Sequence, residues 1–154
     1  MANLFGSLVG ALINAATGFA AVPNRFANGS NTVLVRDTAT TAGNVIGDTI
    51  TLGVFKSTAY IDRGSTMWWG AFGAGCTLNV GDVNHPNGLN AALAVANAGT
   101  GPLMTEVPGN IGQPLWQALG YASDPGGTLT LLATFAGANP ANHALDWQIM
   151  GQNS

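Results

Sequence analysis

Residues 128–150 read TLTLLATFAGANPANHALDWQIM. Leu129, Leu131, Ala133 and Phe135 fall on one side of this run, with Thr128, Thr130 and Thr134 opposite. That is the two-residue period of a strand with one buried face. The alternation breaks around Asn139-Pro140, a turn signal, and then resumes. Leu145, Trp147 and Ile149 now oppose Asp146 and Gln148. The stretch therefore predicts two strands, each with one apolar face.

The same period recurs upstream. In DTITLGVF, Ile50, Leu52 and Val54 alternate with Thr49, Thr51 and Phe55. In TLNVG, Leu78 and Val80 alternate with Thr77 and Asn79. Thr, Val, Ile and aromatic side chains suit a pleated, half-buried surface. Gly43-Asn44, Arg63-Gly64, Asn87-Gly88, Pro108-Gly109 and Asp124-Pro125-Gly126-Gly127 supply turn chemistry between the runs. The pattern predicts an all-β fold of seven or eight short strands, an antiparallel sandwich or barrel.

Two segments depart from it. GLNAALAVANAG, residues 88–99, places Leu89, Ala92, Leu93 and Ala96 on one helical face, with Gly99 as its stop. QPLWQALG, residues 113–120, reads as a single helical turn with Pro114 at its first position and Gly120 at its end. Both are expected as short helical insertions between strands.

The chain opens differently. In MANLFGSLVGALINAATGFAAVPN, Leu4, Phe5, Leu8, Val9, Leu12, Ile13 and Ala16 share one helix face, and Pro23 ends the pattern. The expected organisation is an arm over residues 1–32 carrying a short amphipathic helix, followed by a β-sandwich domain over 33–154. The helix could pack on its own domain or on a neighbouring subunit. Small and polar residues dilute it below a membrane span, and its polar face lacks the Lys and Arg of interfacial helices.

Charge is the unusual quantity. Only 7% of the 154 residues are charged, against roughly a quarter in an average soluble domain. Apolar residues reach 47%, so this is not a disordered composition. So few charges imply that neighbouring subunits cover much of the exterior. The four basic residues, Arg25, Arg36, Lys56 and Arg63, do not cluster, which argues against nucleic acid as a partner. Trp68 and Trp69 are adjacent, so on a strand one indole faces the core and the other a second layer, a covering loop or a partner. The contact candidates are Leu4, Phe5, Leu8, Leu12, Ile13, Phe19 and Phe26 of the arm, and Trp68, Trp69 and Trp116 of the body, large apolar side chains of the kind that anchor interfaces.

Chemistry-bearing residues are sparse. His85 lies three residues after Asp82, but two ligands do not make a metal site. His143 reads as a turn residue, Cys76 as a small buried one, and Glu106 is the only glutamate. No nucleophile, phosphate-loop, zinc or calcium motif is present, and no cofactor-binding pattern. The sequence reads as non-enzymatic.

GDTITLGVF, AGCTLNVGDVNHPNGLNAAL and GTLTLLATFAGANPANHALDWQIMG, spread over residues 44–151, resemble small structural proteins of tailed phages. The resemblance lies in a strand ending at a Gly-Asp turn, an Ala-rich segment, a Thr-rich strand and an alternating final strand. It implies a jelly-roll-like β-sandwich that decorates or cements a capsid from outside. The major capsid protein would be its partner, and a dimer or trimer its state. A tail, neck or head-fibre component is the alternative within that setting. Outside it stands a carbohydrate-binding sandwich with Trp68 or Trp116 as a stacking platform.

Overall fold

The computed structural model describes residues 3–5, 32–105 and 112–152. Its strands are β1 (Asn3–Phe5), β2 (Thr32–Thr40), β3 (Thr49–Lys56), β4 (Tyr60–Ile61), β5 (Thr66–Trp69), β6 (Thr77–Gly81), β7 (Asn90–Ala94), β8 (Gly99–Pro102), β9 (Thr128–Ala136) and β10 (Ala144–Gln152). One helical turn, α1 (Leu115–Leu119), precedes β9.

The pairing is nested. β2 pairs with β10, β3 with β9, β5 with β8 and β6 with β7, all antiparallel. Each pair encloses the next along the chain, as in one long hairpin folded over on itself. Rolling that hairpin places β3-β9-β6-β7 in one sheet and β2-β10-β5-β8 in the other. This is the eight-stranded jelly roll, two antiparallel sheets face to face. β4 adds to β10, and β1 adds to the outer edge of β3.

The alternating runs become the facing layers. Leu129, Leu131, Ala133 and Phe135 of β9 are buried, as are Leu145, Trp147 and Ile149 of β10 and Leu78 and Val80 of β6. β3 departs from the expected alternation. Its register on β9 shifts between Thr51 and Gly53, a β-bulge at Leu52. A bulge inserts one residue and reverses the inward set beyond it. Ile50 and Leu52 are buried, but Val54 is 50% exposed and Phe55 takes the core position.

Residues 88–99 are not helical. β7 runs through them, antiparallel to β6, with Leu78 opposite Leu93 and Thr77 opposite Ala94. Alanine propensity is a weak prior that tertiary pairing overrides. As a strand, the segment satisfies the edge of β6 and delivers Leu89 and Val95 into the core from its two flanks. The 113–120 turn is helical as expected. Pro114 is its N-cap, and Gly120, in the left-handed region at φ 100°, closes it.

At the N-terminus, Asn3–Phe5 form a strand where a helix was expected. The strand runs parallel to β3, with Asn3, Leu4 and Phe5 opposite Thr49, Ile50 and Thr51. An open sheet edge presents unpaired N–H and C=O groups, and β1 satisfies them there. Leu8, Leu12, Ile13, Phe19 and Phe26 lie outside the described residues, as does the remainder of the expected helix.

A candidate subunit interface

Rolling the hairpin gathers the connections into two groups. The first comprises residues 41–48 (β2 to β3), 70–76 (β5 to β6), 95–98 (β7 to β8) and 137–143 (β9 to β10). Their backbones are tied together. Thr41 N–H donates to the His143 carbonyl at 3.0 Å, Phe72 N–H to Val95 at 3.1 Å, and Ala141 N–H to Phe72 at 2.8 Å. Side chains add further ties. Ile46 N–H donates to Asn139 Oδ1 at 3.0 Å, and Gly43 N–H to Asn142 Oδ1 at 3.1 Å. Thr41 Oγ1 donates to the Ala141 carbonyl at 2.7 Å and accepts from His143 N–H at 2.9 Å.

This end of the roll carries almost no charge. The four connections contain no Lys, Arg or Glu, and their one Asp, Asp48, is buried. Asp48 Oδ2 accepts from Val45 N–H at 3.0 Å and Asn44 Nδ2 at 3.2 Å, which shapes the 41–48 loop. At its tip stand Val45 and Ile46, 49% and 53% exposed. Neither was a sequence candidate. The signal was present in GNVIGD, where two β-branched apolar residues sit inside turn chemistry with no core-facing period.

The opposite end is built, among the described residues, from 57–65, 82–89, 103–105 and 112–127, and it holds Asp62, Arg63, Asp82, His85 and Asp124, with Lys56 at its margin. Asp82 is buried there. Its Oδ1 accepts from His85 N–H at 2.6 Å, and its Oδ2 accepts from the Tyr121 hydroxyl. Asn84 Nδ2 donates to the same hydroxyl at 2.8 Å. Gly81 makes the loop possible, since a Cβ there would stand 1.9 Å from the His85 carbonyl oxygen. Burial and then the Asp82 carboxylate raise the Tyr121 phenol above its ordinary value, with Asn84 opposing. The sequence pair Asp82 and His85 thus comes together with a third polar group, as a loop clasp. Among the described residues no group of three His, Cys, Asp or Glu could hold a metal ion. Cys76 is buried, and burial raises its thiol away from the reactive thiolate form.

The tryptophan doublet divides as strand geometry requires. Trp69 points inward, and its Nε1 donates to the Asn97 carbonyl at 3.0 Å. Gly101 leaves room for that ring, because a Cβ there would lie 2.9 Å from it. Trp69 is thus placed in the core of the single chain. Trp68 is 39% exposed on the outer face, with Asp146 of β10 and Thr100 of β8 as its register partners. Phe72 lies beyond the end of β5 and is buried, stacked edge-on against Phe135 with ring centroids 5.2 Å apart. Trp116, on α1, is half-buried against the core.

The chain shares its fold with chains of two phage capsids. One belongs to the capsid of Ralstonia phage GP4, at TM-score 0.60 and 16% identity, covering 99% of this chain and 99% of that one. The other belongs to the cyanophage Pam1 capsid asymmetric unit, at TM-score 0.57 and 17% identity, covering 90% of this chain and 96% of that one. No family model matches the sequence, and no curated protein matches it. No helix among the described residues is long and apolar enough to cross a membrane.

Proposed function

We propose that this chain is a structural component of a phage virion, which decorates and cements the capsid by binding the major capsid protein lattice from outside as a dimer or trimer. The observation that carries the reading is the end-to-end likeness to a chain of the GP4 capsid, 99% of each chain covered. The sparse charge supports it, because subunits packed in a lattice must desolvate what they bury. A protein that binds only the assembled shell shifts the equilibrium toward assembly. Copies joined in an oligomer then act at high effective concentration, so each contact can be modest.

The test is to mix the purified chain with capsid shells assembled without it and to count bound copies by sedimentation and particle imaging. Saturable binding at hundreds of copies per particle is the expected result. A few copies at one vertex would move the chain to the neck, tail or head-fibre reading. No association with shells would overturn the proposal.

Trp68 favours one second reading. An indole 39% exposed beside Asp146 and Thr100 offers an aromatic face with polar groups alongside, as a saccharide platform requires. Titration with saccharides should then quench tryptophan fluorescence in the parent chain and not in Trp68→Ala.

A further inference from the structure

We infer that the uncharged loop end, formed by residues 41–48, 70–76, 95–98 and 137–143, is the face that seats on the shell, and that Val45 and Ile46 enter an uncharged, apolar-lined patch of the lattice. The inference rests on the reading of the chain as a lattice-bound component and adds which end binds and what chemistry it meets.

Three observations converge on this end. It has no exposed Lys, Arg, Asp or Glu to desolvate, and His143 is its one exposed titratable side chain, whereas the opposite end presents Asp62, Arg63 and Asp124 to water. Many of its backbone donors are already used internally. Thr41, Gly43, Ile46, Phe72, Gly73 and Ala141 all donate within the four loops, so covering them leaves none of these N–H groups orphaned. The same ties hold the loops in one arrangement before contact, which lowers the ordering cost of binding.

Complementarity of charge names the partner. A charged patch pressed on this end would lose its hydration and find no counter-ion. A neutral patch loses little, and it gains the burial of two β-branched side chains that stand half-open in the free chain. Val83, 80% exposed at the other end, is the internal contrast. It stands alone between Asp82 and Asn84, in polar surroundings.

The experiment measures shell binding by the full chain and by Ile46→Lys, Ile46→Asp, Val45→Ser and Val83→Asp, after thermal melts show that each variant folds. Both charge signs at position 46 should weaken binding by at least about tenfold, the scale of an unpaired desolvated charge. Val45→Ser should weaken it less, and Val83→Asp should leave it unchanged. Equal binding by the parent chain and all variants would overturn the inference and leave the proposed function standing. Tighter binding by one sign at position 46 would overturn the uncharged-patch half. Loss of self-association with shell binding intact would reassign this end to contacts between copies. Failure of the parent chain itself to bind shells would overturn both readings.

Discussion

Trp147 reaches across the sandwich and donates its indole N–H to the Leu52 carbonyl at 2.9 Å. The two residues belong to opposite sheets, and the link exists because β3 bulges at Leu52. A bulge leaves the extra residue outside the ladder, and a buried carbonyl there needs another donor. Trp147→Phe keeps most of the apolar volume and removes that donor. The expected cost is about 1–3 kcal/mol for the orphaned carbonyl. In a domain of this size that lowers Tm by about 2–12 °C. A thermal melt unchanged by the substitution would mean that the carbonyl has found another partner.

A second bulge lies on β7, where Ala91 and Ala92 together face Asn79 of β6. Ala92 sits at φ 52°, in the left-handed region, and its N–H donates to Asn79 Oδ1 at 2.8 Å. A Cβ costs about 1–2 kcal/mol in that region, and glycine avoids the cost. Ala92→Gly should therefore stabilise the fold by about 1 kcal/mol after the added chain entropy of glycine is subtracted. Urea unfolding should show a higher midpoint at unchanged slope.

The Tyr121–Asp82 clasp predicts an alkaline response. Burial and the Asp82 carboxylate favour the neutral phenol in the folded chain, so its titration moves up from about 10. The stability this contributes is complete below the unfolded value and is lost as pH rises through the folded one. Tyr121→Phe should remove that alkaline dependence. At neutral pH it should also cost about 1–3 kcal/mol, because the buried Asp82 Oδ2 loses its hydroxyl donor. Absorbance titration near the phenolate band, with urea melts at matched pH, reads both effects.

What the sequence disclosed follows from which forces are local. The β9 and β10 runs were readable residue by residue, because alternation survives wherever a strand is regular and half-buried. β3 was readable only as far as Leu52, since a bulge is a property of the pair of strands. β7 was missed for a related reason: Ala91, Ala92 and Ala94 are exposed and carry no inward period, and their strand state comes from the β6 edge beside them. The two ends of the roll could not be seen before the nesting was known. The absence of exposed Lys, Arg, Asp and Glu from 41–48, 70–76, 95–98 and 137–143 becomes a surface only once the roll brings those four loops together. Exposed Val45 and Ile46 carry little signal on their own, because two β-branched residues inside a turn motif become an apolar tip only once Asp48 shapes the 41–48 loop.

The arm yields the last prediction. β1 covers only the Thr49–Thr51 stretch of the β3 edge, in parallel, while the facing layers of the roll are built from β2 to β10. Deleting residues 1–24 therefore removes the cover of one edge and leaves the nested pairing intact. The shortened chain should melt within a few degrees of the parent, a loss of about 1–2 kcal/mol for one short ladder of three paired positions. Its bared edge should promote self-association at high concentration, because unpaired N–H and C=O groups template further strands. We also expect weaker attachment to shells, with the arm supplying part of the contact through its apolar residues. Velocity sedimentation of the two chains, alone and with shells, separates these effects. Unchanged shell affinity after the deletion would confine attachment to the roll itself.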